Sequence, residues 1–379
     1  MYKLRQDYIL IALILLLTLL GLVTLYSASY LLPRFKSGLT PLVSNLIVFG
    51  IMLAVFPITA LISLDKLKNG KVVIGLIVFA LLLNLIPIFQ KIIQGQVKGV
   101  MRWIVLKVNE KEFSFQPSEL FKIALPFYMA YILDKNKNRL NSFFYGPFPS
   151  AVITGLFCGL VLWQKNYSEI ILILVVSVII SFAAGIRFRW FLLLLFLLIL
   201  AVFLLFTFGK TGTWHERFDS FINKEKDLFT RNYQPSASLD AIKEGGFWGK
   251  GIGQGTYKMG VPEVHGDFVF AAYAEESGLL GVLFYLFLIG AFVYIGYMTA
   301  WRSQDRFKQL LAFGLVTTIA VQTLTNIAVV VRLIPTTGIP LPFVSSGGSS
   351  LLVTLIVSGL LVNITRCNVK SCIGGRNVR

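Results

Sequence analysis

The chain has 379 residues, of which 56% are hydrophobic and only 14% charged, with a mean hydropathy of +0.76 and a net charge of +17. A soluble domain carries nearly twice that share of charge, so this composition excludes a set of soluble domains and implies a polytopic membrane protein. The positive excess reads as a topology signal and not as nucleic-acid binding, so no nucleic-acid partner is expected.

Apolar runs near twenty residues long predict an all-α fold of about ten transmembrane helices. They lie near 9–31, 43–64, 73–93, 119–134, 149–164, 168–186, 188–208, 267–300, 309–333 and 349–366. The first run, in MYKLRQDYILIALILLLTLLGLVTLYSASY, is too long for the apolar core of a signal peptide and no small-x-small cleavage site follows it, so a retained helix is expected. With both termini cytoplasmic, the segments MYKLRQD, DKLKNGK, DKNKNRL, IRFRW, WRSQDRFK and the tail 367–379 fall inside and carry roughly half of the 35 Lys and Arg. The whole of 1–379 then forms one transmembrane domain, with a large extracytoplasmic loop, 209–266, between the seventh and eighth helices. Cys158, Cys367 and Cys372 are not placed for an outer bridge, and no Cys/His cluster has metal-site spacing.

Three unusual stretches fall on the outer side. In residues 97–133, the run QPSEL has the grammar of a helix start, with Pro117 suited to an early position and Ser118 and Glu119 complementing the positive end of the helix dipole. Glu119 and Lys122 are spaced to pair, either as a capped helix with a snorkelling lysine or as a charged pair lining a cavity. The loop 209–266 holds YQPSASLDAIKEGGFWGKGIGQGTYKMGVPEVHGDF, rich in glycine and aromatics; GKGIGQG follows no strand and is not read as a nucleotide loop. The third, RLIPTTGIPLPFVSSGGSS, interrupts an apolar run with prolines and glycines, and is read as a re-entrant segment beside a site in preference to a plain loop. Carboxylates, basic residues and glycine-rich backbone beside the outer leaflet suit a lipid-linked substrate with phosphates and hydroxyl-rich head groups.

These stretches carry a family resemblance. GVMRWI…FQPSELFK, YQPSASLDAIKEGGFWGKGIGQG, PEVHGDFVFAAYAEESGLLG and NIAVVVRLIPTTGIPLPFVSSGGSS occur in order over nearly the whole chain, which resembles the SEDS family of shape, elongation, division and sporulation proteins. GKGIGQGTYK followed by PEVH looks more like its division branch than its elongation branch. The resemblance implies a peptidoglycan glycosyltransferase of the bacterial inner membrane, working at the septum with its active site on the periplasmic face. Its substrate would be lipid II, and its partners a class B penicillin-binding protein and other divisome membrane proteins.

Carried over, the aspartate of HGDF makes Asp267 the catalytic candidate, as general base or as ligand for a divalent cation such as Mg or Mn. Arg102, Lys122 and Lys258 are the candidates to neutralise the diphosphate, and Glu263, His265, Ser345 and Ser349 are carried as substrate contacts. Glu275 and Glu276 of AEES are expected as polar packing, in company with Glu119 and Lys122. This chain departs from the family pattern at Gly266, where Thr is usual, at Arg332 and Ser346, and in QKNYSE at 164–169, which lacks the usual acid and has Glu169 nearby. The best 21-residue window of the eighth span is 279–299, so a continuous upright helix would hold Asp267 roughly 18 Å above it. Two rival readings remain, a lipid II transporter and a scaffold that recruits a transpeptidase.

Overall fold

The computed structural model describes residues 6–30, 50, 53–93, 102–108, 111–187, scattered positions in 189–200, 221–222, 233–257, 266–345 and 347–374. Most of the expected span 188–208 and the first part of 43–64 lie outside the described residues, as do Lys258, Glu263, His265 and Ser346. The described helices are α1 (Gln6–Tyr30), α2 (Gly70–Ile93), α3 (Phe121–Lys135), α4 (Pro147–Trp163), α5 (Tyr167–Ala183), α6 (Tyr233–Gly245), α7 (Val269–Arg302), α8 (Arg306–Val330) and α9 (Gly348–Gly374), besides short helical pieces at 53–61 and Leu64–Leu67. An antiparallel hairpin, β1 (Ile104–Val108) and β2 (Lys111–Phe115), pairs Ile104 with Phe115 and Val108 with Lys111.

Every expected span that falls within the described residues coincides with a helix. Five of them (α1, α2, α7, α8 and α9) are long and apolar enough to cross a membrane, while α4 and α5 are shorter apolar helices of 17 residues. α1 shows how the sequence divides its faces. Leu10, Leu13, Ile14 and Leu17 recur at helical spacing and are buried, whereas Leu15, Leu16, Leu19 and Val23 are exposed to what would be lipid. α8 is the inner element, packed against α3, α5, α6, α7 and α9. It buries Thr317, Thr318, Gln322, Thr323 and Asn326, polar groups that only an interior with partners can hold.

Ion pairs close the end of the bundle at which α3 ends and α8 begins. Lys68 Nζ lies 3.0 Å from Asp134 and 3.1 Å from Asp305, and Lys308 lies 3.0 Å from Asp65. Burial alone would lower the Lys68 pKa, but its hydrogen bonds to Asp134 and Asp305 outweigh that and raise it. Asp305 also starts α8, accepting a hydrogen bond from the Phe307 N–H at 2.9 Å.

The structure departs from the sequence expectations in five places. The run QPSEL forms a 3₁₀ turn, Pro117–Leu120, and the α-helix starts only at Phe121. The segment 91–118 contains the hairpin, and the loop 209–266 contains α6. α9 continues through Gly374, so much of the expected tail is helical. Finally, α7 is not continuous. Gly278 has φ 64° and ψ −166°, so the residues before it leave the axis of 279–299 and the simple 18 Å elevation of Asp267 does not hold.

The glycine-rich loop after α6 explains that break. Lys250 N and Gly251 N donate to the Glu275 and Glu276 carbonyls at 3.0 Å each, and Leu279 N donates to the Gly246 carbonyl at 2.9 Å. A Cβ on Gly278 would run into the Gly249 nitrogen, and one on Gly249 (φ +80°) would run into the Glu276 carbonyl. Both glycines are therefore needed for positive φ and for close approach of two backbones. Gly278→Ala is expected to destabilise the protein by about 1–3 kcal/mol from backbone strain alone, before any displacement of the loop. The check is the thermal unfolding midpoint in detergent, and a midpoint equal to wild type would count against this packing.

Candidate active site

At the end of the bundle opposite the ion pairs, the segment 332–347 folds back among the helices. Ile339, Leu341, Phe343, Val344 and Ser345 are all buried. The Phe343 ring meets Phe292 of α7 edge-on, and its carbonyl lies against Gly21 of α1. Irregular backbone at this depth needs partners for its carbonyls, and α8 supplies them. Gln322 Nε2 donates to the Pro340 carbonyl and Asn326 Nδ2 to the Ile339 carbonyl, each at 2.8 Å. The two side chains stand one helical turn apart on one face of α8.

The same contacts hold the candidate catalytic residue. Asn326 Nδ2 also donates to the Asp267 carbonyl at 2.8 Å, and Ser345 Oγ donates to the Gly266 carbonyl at 2.8 Å while accepting from Leu341 N at 2.7 Å. Asp267 is thus pinned by its backbone to both α8 and the folded-back segment. Its carboxylate points at Gly338, whose φ is +79°. A Cβ there would stand 3.3 Å from Asp267 Oδ2 and 3.9 Å from Arg102 Nη1. An acid and a guanidinium from distant parts of the chain therefore flank bare backbone. Asp267 and Arg102 are both partly exposed, and the Arg102 Nε is buried without a hydrogen-bond partner.

Behind this pair lies a buried charge cluster. Lys122 Nζ is 2.6 Å from Glu119 Oε1 and 3.8 Å from Glu169 Oε1, and all three side chains are nearly inaccessible. Lys122 does not snorkel; its ammonium is enclosed by two carboxylates. Arg102 is the second cation whose charge reaches Glu169. The cluster is tied to the site by Ser168 Oγ, which donates to the Thr337 carbonyl at 2.5 Å, next to Gly338.

Ser345 and Ser349 are both buried. Ser345 closes the loop as described, and Ser349 Oγ accepts from Gln116 N at 2.9 Å, holding the end of the hairpin to α9. Both hydroxyls satisfy backbone groups that would otherwise be buried unpaired. Lys258, Glu263 and His265 are outside the described residues. Glu169, Gln322 and Asn326 are the contributors that the sequence expectations omit or leave open. Their signal is polar spacing inside otherwise apolar spans.

Glu275 and Glu276 do a different job. Glu275 Oε1 accepts from Lys250 Nζ at 2.7 Å, Thr256 N at 2.8 Å and Thr256 Oγ1 at 2.9 Å, and its Oε2 accepts from Tyr257 N at 3.0 Å. Glu276 accepts from Ser27 Oγ at 2.6 Å, and Ser27 in turn accepts from Gly253 N at 3.0 Å. Lys250 also pairs with Glu244, and hydrogen bonds to Glu244 and then Glu275 raise its pKa, so it stays a cation at working pH. The two glutamates anchor the glycine-rich loop onto α7.

Among the described residues no three His, Cys, Asp or Glu side chains converge to hold a metal ion.

A sequence model of the FtsW/RodA/SpoVE family, described as cell cycle protein, matches residues 7–370. The chain belongs to that family. A Borreliella burgdorferi protein named probable peptidoglycan glycosyltransferase FtsW is 34% identical over 369 residues, covering 96% of this chain and 97% of its own length. Its namesake in Bacillus subtilis is 31% identical over 382 residues, covering 95% of this chain and 90% of its own. Among solved structures, a chain from a study of structural coordination of polymerization and crosslinking by a peptidoglycan synthase complex aligns with a TM-score of 0.76 at 24% identity, over 96% of this chain and 99% of its own. The Rod shape determining protein RodA of Thermus thermophilus aligns at 0.64 and 24% identity, over 97% and 98%. This family member is a multi-pass membrane protein whose fold is shared with those structures.

Two departures from the family pattern have visible consequences here. Glu169 brings a carboxylate to Lys122 although Asn166 carries no charge. Arg332 sits at φ 58° after the last turn of α8, and its Nη1 donates to Ser236 Oγ of α6 at 3.1 Å.

Proposed function

We propose that this chain is a peptidoglycan glycosyltransferase of the bacterial inner membrane that polymerises lipid II into β-1,4-linked glycan. The observation that carries the reading is the convergence of Asp267 and Arg102 on either side of Gly338, in a chain 34% identical to proteins named for that activity. Asp267 takes the proton from the 4-hydroxyl of the acceptor GlcNAc as that oxygen attacks the anomeric carbon of the donor. The bond from that carbon to the diphosphate breaks on the opposite side with inversion, and undecaprenyl diphosphate leaves with the electron pair. Arg102 balances the negative charge that grows on the diphosphate oxygens. The folded-back segment and α8 hold the acid in place before substrate arrives, which removes an ordering cost from the reaction.

The site faces the periplasm in this reading, because it lies at the end of the bundle opposite the positive loops. The natural setting is the division septum, beside a class B penicillin-binding protein that cross-links the product and with other divisome proteins. Purified protein with lipid II and that partner is expected to yield glycan strands that a muramidase digests. If wild type forms no polymer but moves lipid II across liposome membranes, the transporter reading replaces this one. If it does neither and only retains the transpeptidase, the scaffold reading does.

A further inference from the structure

The glycine-rich loop that docks on α7 ends in an apolar tip that the catalytic reading does not use. Phe247 is 53% exposed, Trp248 79% and Ile252 69%, and the two aromatic rings meet edge-on with centroids 5.3 Å apart. Three large apolar side chains projecting from one tight loop are unusual on a surface bathed only by water. The loop is rigidly placed, since Glu275, Glu276 and the Gly249–Gly278 contact lock it to α7.

Its position relative to the membrane follows from two backbone bonds. Leu279 N donates to the Gly246 carbonyl at 2.9 Å and Leu280 N to the Phe247 carbonyl at 3.3 Å. Leu279 and Leu280 open the apolar span of α7, and with Leu283, Phe284 and Phe287 they form its exposed face. The tip therefore continues that face outward, level with the first turn of the span. The charged residues of the neighbouring α6, Asp240, Lys243 and Glu244, are exposed in their turn. Aromatic side chains, Trp above all, favour the depth where acyl chains give way to head groups.

We propose that Phe247, Trp248 and Ile252 insert into the headgroup–acyl boundary of the outer leaflet and anchor the glycine-rich loop to the bilayer. The occupant of this surface is lipid, because the tip is continuous with a membrane-spanning face. The proposal depends on α7 crossing the bilayer and not on the glycosyltransferase reaction, so failure of either leaves the other standing.

The test places a nitroxide at Trp248→Cys, at Ile252→Cys and, as an aqueous control, at Lys243→Cys, in full-length protein with Cys158, Cys367 and Cys372 changed to Ser. The protein is reconstituted in nanodiscs of phosphatidylethanolamine and phosphatidylglycerol, and collision with oxygen is compared with collision with a water-soluble nickel chelate. At 248 and 252 the oxygen-to-nickel ratio is expected to be several-fold higher than at 243. Phe247→Cys carries the same measurement if the Trp248 variant does not fold. Nickel access equal to that at 243 would overturn the proposal in favour of a water-exposed tip. Exclusion of both reagents would overturn it in favour of a surface covered by protein.

Discussion

Asp267→Asn is expected to lower the rate of glycan polymerisation by about 10²- to 10⁴-fold, the range for loss of a general base. The substitution is nearly isosteric, and two contacts that fix this position run through backbone. Asn326 bonds the Asp267 carbonyl and Ser345 bonds the Gly266 carbonyl, so neither tie depends on the carboxylate. The folded protein and its affinity for the transpeptidase should therefore persist while the reaction is lost. The measurement is the initial rate of strand formation from lipid II, paired with the unfolding midpoint of the same preparation. A wild-type rate would remove Asp267 from the catalytic role.

The second large effect is on stability. Lys122→Met leaves Glu119 and Glu169 buried inside the bundle without the ammonium that separates them. Removing one partner of a buried ion pair costs about 3–5 kcal/mol, because the carboxylates left behind cannot reach water and have lost the ammonium nearest to them. The single variant is expected to be largely misfolded in detergent extracts, judged by size-exclusion profile. Neutralising the acids at the same time, as Lys122→Met with Glu119→Gln and Glu169→Gln, should recover much of the folded fraction. A stable Lys122→Met variant would mean that the cluster is solvated, contrary to the burial seen here.

What was legible in the sequence follows from what each feature depends on. Span positions depend on local apolar run length, and the described helices match them. The hairpin and α6 were hidden because both lie in segments read as loops, and α6 is too polar to register as an apolar run. Its place is set by packing on α7 and by the Ser238 bond to the Val330 carbonyl, a contact between distant parts of the chain. The break at Gly278 was hidden because a single glycine in an apolar run is ordinarily tolerated; only the opposing Gly249 makes it necessary.

The candidate site shows the same division. Asp267 could be singled out from its motif, and Arg102 was one of three basic candidates with nothing local to choose among them. In the structure Arg102 and the acid lie on either side of Gly338, whereas Lys122 is enclosed by Glu119 and Glu169 and Lys258 is outside the described residues. Ser345 and Ser349 looked like ligand hydroxyls because a serine cannot show from sequence which backbone group it will satisfy. Here both close the loops that carry the site.

The central claim is that sugar transfer occurs in this membrane domain, and its most direct measurement is the stoichiometry of the leaving group. Purified protein with its transpeptidase should release one undecaprenyl diphosphate for each disaccharide added to a strand, and Asp267→Asn should suppress both in parallel. Consumption or movement of lipid II without release of undecaprenyl diphosphate would contradict the account.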